Sequence, residues 1–159
     1  NNSITSFGGA DKRLESLLET DDRAFFKDFA HSPSKVSATT NALKNQFKNR
    51  KLIALLELHT FSSLNEDFIG EYRNSLKQAD VRILFYDPKA VASKGLKNIS
   101  VQKIKDSFND DSMIVISDSN QLKDYLFELS FLNTNLLFMS SGNYASLDLD
   151  VIIDFIKNN

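Results

Sequence analysis

Residues 51–58, KLIALLEL, form a nearly unbroken apolar run. A strand of this composition has to be covered on both faces, as the central strand of a parallel sheet is. Around it the chain alternates strand-like and helix-like segments. RLESLLET (13–20) and RAFFKDFA (23–30) flank the polar pair Asp21-Asp22 and predict a hairpin. From Pro33 to about Asn49, Val36, Leu43 and Phe47 recur at helical spacing. Leu64, Phe68, Ile69, Tyr72 and Leu76 predict an amphipathic helix. Further strands are expected at 81–87, 112–117 and 135–140. Further helices are marked by Val101, Ile104 and Phe108, by Leu122, Tyr125, Leu126 and Leu129, and by Leu147, Val151, Ile152 and Phe155. Residues 87–100 make the longest irregular stretch.

Repeated strand–helix units imply right-handed crossovers and helices on both faces of one sheet. The expected fold is therefore α/β: a Rossmann-like three-layer sandwich whose sheet is mostly parallel, with an antiparallel edge strand or hairpin at the N-terminus. Its 159 residues suit one domain, 1–159, with one core. No internal repeat or low-complexity tract divides it. Ligands of open α/β sheets collect beyond the carboxyl ends of the strands. That rule selects residues 28–34, 58–63, 87–95, 117–120 and 140–144.

Composition excludes several functions. A net charge of −2 argues against binding nucleic acid, whose phosphates demand an excess of Lys and Arg. The chain has no Cys, so disulfides, thiolate metal sites and a cysteine nucleophile are ruled out, and a reducing compartment fits. No apolar run approaches the roughly 20 residues of a membrane span, and the polar stretch NNSITSFGG is not expected to act as a signal peptide. The five glycines cannot supply GxxxxGK[ST], GxGxxG or GxSxG. A nucleoside triphosphate would therefore find no phosphate-cradling loop in this chain.

The stretch KDFAHSPSKV (27–36) follows the second predicted strand. Pro33 is pre-set for the first helical position, and Ser32 stands where it can cap the helix. A helix start also offers free N–H groups and partial positive charge to a phosphate. Asp28 can accept hydrogen bonds from ribose hydroxyls, and His31 can donate to a phosphate. The plainer account is a capped helix beside a surface acid and a half-buried imidazole. His59 ends the presumed central strand, so both histidines fall at strand carboxyl ends. Two histidines fall short of the three or four ligands a metal takes, and no metal site is expected. Arg13 follows two glycines, at the outer end of the hairpin that faces Asp28.

The run FGGADKRLE…KDFAHSPSKV…LIALLELHTFSS…QADVRILF…LLFMSSGNY resembles the C-terminal domain of the Mur ligases over nearly its whole length. Its most specific part is D-[YF]-[AG]-H-x-P, present as Asp28-Phe29-Ala30-His31-Ser32-Pro33. The branch it resembles most holds the UDP-N-acetylmuramate–L-alanine ligase and the muropeptide ligase that adds a tripeptide. The resemblance implies an ATP-dependent enzyme that joins an amino acid or peptide to UDP-N-acetylmuramate through an acyl phosphate, in the cytoplasm, during peptidoglycan synthesis or recycling. It implies that Arg13 of a G-x-x-x-R motif, Asp28 and His31 face the ATP, and that His59 and Ser62 face the incoming amino acid or peptide. It also implies partner domains outside this chain, one for the UDP-sugar and one whose P-loop holds ATP and most of the Mg²⁺. A third domain alone is expected to be inactive.

Some positions depart from that pattern. Thr60 and Ser63 stand where the alanine-adding branch has two arginines, so the two-pronged grip on a free carboxylate is gone. This turns the expectation from free L-alanine towards a longer peptide. Lys35 replaces an acid, and Ser32 a second His or Asn. Two alternatives stay open: a domain of a folylpolyglutamate synthetase-like ligase, and a non-enzymatic α/β interaction domain with packed histidines.

Overall fold

The computed structural model describes residues 14–143 and 146–159. Six strands form one sheet: β1 (Glu15–Glu19), β2 (Arg23–Asp28), β3 (Lys51–Leu58), β4 (Val81–Tyr86), β5 (Ile114–Ile116) and β6 (Thr134–Met139). Their order across the sheet is β1-β2-β6-β3-β4-β5. β1 pairs antiparallel with β2 at the edge, and the remaining pairs are parallel. The helices are α1 (Pro33–Gln46), α2 (Pro88–Ser93), α3 (Val101–Phe108), α4 (Ser119–Phe127) and α5 (Leu149–Asn158). The three-layer α/β expectation holds, edge hairpin included.

Alternation along β3 divides the core. Leu52, Ala54, Leu56 and Leu58 pack with Val36 and Leu43 of α1 and with Ile104 and Phe108 of α3. Ile53 and Leu55 point the other way, to Leu122 and Leu126 of α4 and to Ile152 and Ile156 of α5. All four β3 leucines and Ile53 are at most 2% exposed, so each contributes about 1.5–3 kcal/mol of burial. Stacked Phe127 and Phe155, 4.5 Å apart, clamp α4 to α5. The hairpin turn is tied down as well: Arg23 grips Asp22 through two 2.8 Å bonds and donates to the Ile156 carbonyl at the end of α5.

Two expectations are corrected. Residues 64–76 do not form an amphipathic helix. They run as successive turns, with one turn of 3₁₀ helix at Ile69–Tyr72. Most of the bonds join residues three apart, such as Phe68 N–H to Asn65 O, Glu71 N–H to Phe68 O and Ser75 N–H to Tyr72 O, while Ile69 N–H to Asn65 O spans four. Leu64, Ile69, Tyr72 and Leu76 are all buried, since a three-residue repeat presents one face almost as well as a 3.6-residue one. Gly70 sits inside the segment, the Asn65 side chain bonds Asp67 N–H, and Asn74 has a left-handed φ of 62°. Each breaks an α-helix. Conversely, 87–100 is not wholly irregular. The Asp87 carboxylate accepts from Lys89 N–H, Pro88 takes the first position, and α2 follows.

At the amino-terminal edge of the sheet, Arg82 of β4 pairs with Asp110 and donates to Ala79 O and Ser112 Oγ. A cavity of about 240 Å³ opens beside this pair, lined also by Asn74, Lys77 and Phe108. Burial raises the Asp110 carboxyl, but bonds from Arg82 and Ser112 outweigh it and hold the group below the usual carboxylate range. Asp80 is lowered likewise: burial works against it, and Lys44 and the Leu52 N–H prevail. A carboxyl with a depressed folded-state pKa stabilises the fold above the ordinary range, and the contribution fades as pH falls through the folded value. Asp110→Ala is expected to cost about 2–3 kcal/mol at neutral pH. It should also flatten the loss of stability between about pH 5 and pH 2. Denaturant melts across that range check both.

Candidate functional site

The chain leaves β2 and β3 towards the face covered by α1, but leaves β6 towards α5 on the opposite face. β6 lies between β2 and β3. Connections therefore part in opposite directions on either side of its carboxyl end, where a doubly wound sheet opens a crevice. Met139 pairs with Asp28 on one side and with Leu56 on the other. The ends of β2 and β6 are thus level, β3 runs two residues further to Leu58, and the segments 28–33, 140–143 and 59–63 follow at this rim.

Asp28 closes β2 and is 7% exposed. Its Oδ2 accepts a 2.7 Å bond from Thr39 Oγ1 of α1, and its backbone carbonyl accepts from Ser140 N–H at 3.1 Å. The acid is held in place rather than loose on the surface. Its second oxygen takes no hydrogen bond among the described residues.

His31 lies three residues on, partly exposed, with its ring edge-on to Phe29 at 5.4 Å. Its Nδ1 sits 3.1 Å from the Phe29 carbonyl. A carbonyl only accepts, so Nδ1 carries the proton. Nε2 is then an acceptor in the neutral ring and a donor to an anion only in the imidazolium. The backbone carbonyl of His31 accepts from the buried Tyr72 hydroxyl, so the 3₁₀ turn pins the loop from beneath.

Ser32 occupies the cap position of α1, with extended φ and ψ of −80° and 153°. Its hydroxyl makes no capping bond, contrary to expectation. Its carbonyl accepts the Val36 N–H at 2.9 Å instead. Pro33 contributes no N–H, and the next N–H groups keep no side-chain partner. The start of α1 therefore retains its partial positive charge beside Asp28.

His59 follows β3 and packs against Gly142. A Cβ on residue 142 would lie 2.8 Å from Cγ and 2.9 Å from Cδ2 of the imidazole, closer than any side chain tolerates. Ser62 is exposed in the following turn, and its hydroxyl makes no bond among the described residues. Thr60 and Ser63 bond one another. Ser63 N–H donates to Thr60 Oγ1 at 3.1 Å, Thr60 Oγ1 lies 3.0 Å from Ser63 Oγ, and Ser63 is 2% exposed. The two positions serve a local turn.

The structure thus brings Asp28 and His59 to opposite flanks of one turn, 140–142, with His31 on the Asp28 side. Ser62 is on the same rim without touching them. Arg13 lies outside the described residues. The register Glu15↔Lys27 does direct the start of β1 to the Asp28 end of the sheet. Among the described residues no group of three or more His, Asp and Glu converges on a metal position.

One residue escaped the sequence reading. Glu57, in β3, is 3% exposed and accepts a 2.6 Å bond from Ser140 Oγ. Its signal was the lone charge inside KLIALLEL after Lys51. Ser140 Oγ in turn accepts from Gly142 N–H at 2.8 Å. The Ser141 hydroxyl beside it is buried with no partner among the described residues.

No family model matches the chain. It is 25% identical over 148 residues to the bifunctional enzyme MurC/Ddl of Chlamydia trachomatis, covering 92% of this chain and 18% of that protein. The chain therefore spans less than a fifth of the length of that curated relative. Among solved structures, the murein peptide ligase Mpl of Psychrobacter arcticus superposes with a TM-score of 0.71 over 98% of this chain and 32% of its own, at 18% identity. A folylpolyglutamate synthase of Mycobacterium tuberculosis, solved with ADP and AMPPCP, superposes at 0.50 over 84% of this chain and 30% of its own, at 18% identity.

Burial pushes the Tyr72 hydroxyl up to about 12. Its contribution to stability is full below the unfolded value of about 10 and is lost as pH climbs through the folded one. Tyr72→Phe is expected to cost about 1 kcal/mol at neutral pH, where the His31 carbonyl loses its donor. The same variant should lose the decline in stability between about pH 10 and pH 12. Urea melts at both ends of that interval decide the matter. The chain shares its α/β fold, an antiparallel strand at one edge of a parallel sheet, with the C-terminal domains of Mur ligases.

Proposed function

We propose that this chain is the C-terminal domain of an ATP-dependent ligase that joins an amino acid or peptide to UDP-N-acetylmuramate in the cytoplasm. The observation that carries the reading is the meeting of Asp28, the open start of α1, the 140–142 turn and His59 at the switch point of the sheet. The likeness to the ligases MurC/Ddl and Mpl supports the reaction class.

ATP enters as substrate and supplies the phosphoryl group that activates a carboxylate for attack by an amine. The residues here fit its nucleotide end. Asp28 keeps one carboxylate oxygen for ribose hydroxyls, and the first free N–H groups of α1 face the same rim. The orphaned Ser141 hydroxyl supplies a further polar group in want of a partner. His31 has its Nδ1 proton committed to Phe29 O, so Nε2 is the ring atom left to face a phosphate oxygen. Arg13 belongs to this nucleotide group in the proposal. Mg²⁺ would travel with the phosphates and be held by a central P-loop domain, because the described residues here offer it no ligand set.

His59 and Ser62 are assigned to the incoming amine. With Thr60 and Ser63 closed on one another, no arginine fork awaits a free carboxylate, which favours a peptide such as the muropeptide ligase uses. Closure of this domain over the other two would complete the site, so the isolated chain is expected to show no ligation. The folylpolyglutamate reading keeps support from the 0.50 superposition. Supplying the full-length protein with UDP-muramoyl and folate acceptors in parallel separates the two.

In the full-length protein, Asp28→Ala is expected to raise the KM for ATP at least about tenfold, the loss of one charge-assisted contact. Affinity for the UDP-sugar should hold. An unchanged KM and kcat for ATP would remove Asp28 from the nucleotide site.

A further inference from the structure

A carboxylate within a strand buried on both faces costs several kcal/mol unless it is partnered. Leucine at position 57 would serve the core at no such cost. The bonds of Glu57 show what the acid does instead. Glu57 Oε1 receives Ser140 Oγ at 2.6 Å, which leaves the hydroxyl's lone pairs to receive Gly142 N–H at 2.8 Å. The hydroxyl proton goes to the acid, so it cannot rotate towards another acceptor. The 140–142 turn is thereby fixed at a level set by β3.

That turn presses on His59, with the Gly142 Cα hydrogen lying where a Cβ would collide with the ring. The contacts form a closed circuit: Glu57 to Ser140, Ser140 to Gly142, Gly142 to the His59 ring, and two residues of backbone to Glu57.

We propose that Glu57 is a positioning residue that sets the His59 imidazole through Ser140 and the glycine turn, and so governs how the site holds the incoming amine. The amine-side role of His59 rests on the function proposed above; the circuit itself does not.

The chain's two histidines make the test simple. Their ring resonances are recorded by heteronuclear NMR in the 159-residue chain. Ser140→Ala and Gly142→Ala should shift the His59 signals and leave those of His31 in place, whereas Glu57→Gln, which keeps an acceptor for Ser140, should preserve both. In the full-length protein, Ser140→Ala should raise the KM for the amine substrate about tenfold or more, as small misplacements do, and by a larger factor than it raises the KM for ATP. Ser140→Ala removes a single hydroxyl and serves as the test if Gly142→Ala does not fold. His59 signals unmoved in Ser140→Ala overturn the proposal. Shifted His59 signals with an unaltered amine KM uphold the circuit and remove His59 from the amine side.

Discussion

The register of β6 is the constraint on which the rest of the structure depends. Met139 stands opposite Asp28 on one side and Leu56 on the other. With that register, Asp28 meets Ser140 N–H, Glu57 meets Ser140 Oγ, and Gly142 meets His59. A slip of one residue would turn Leu137 and Met139 to the α4–α5 face and Leu136 and Phe138 to the α1 face. Each group is fully buried where it is, so the slip is strongly disfavoured. Hydrophobic packing along the strands therefore fixes the polar geometry beyond their ends.

The rim combines rigid and open parts. Asp28 is tied to Thr39, the His31 backbone to Tyr72, and the 140–142 turn to Glu57. The α1 start, the Ser141 hydroxyl and the Ser62 hydroxyl keep no side-chain partner among the described residues. A rim built in this way would lose little conformational freedom on binding a ligand, because its framework is ordered beforehand.

Much of the architecture was legible because strand and helix periods differ. KLIALLEL could only be a central strand, and six strands were located to within a few residues. What misled was the segment 64–76. Its apolar spacing suits turns of three residues as well as a helix, and only Asn65, Gly70 and Asn74 hinted at the difference. The Asp87-Pro88 start of α2 uses the same polar-residue–proline device as Ser32-Pro33, set in a stretch whose lysines and short helix give little periodic signal. DFAHSP was placed beyond the carboxyl end of β2, where it lies, yet sequence alone could not tell that the Ser32 hydroxyl would make no capping bond. Nor could it tell that Thr60 and Ser63 would close on each other. Glu57 was hidden for a stronger reason: its partner, Ser140, lies 83 residues away. Pairings so distant are written in topology rather than in local pattern.

The place of β6 in the sheet bears on how such a chain matures. β2 and β3 are made early but do not touch; the strand that fills the gap between them comes more than 70 residues after β3. While a ribosome is still extending the chain, two apolar strand edges face one another across a slot one strand wide. Contacts that span so much sequence form slowly. Until residue 139 has emerged, the slot is open to any extended segment nearby, including the β6 segment of a neighbouring copy. The last strand of the sheet to be made is thus the one that carries the turn between its two histidines.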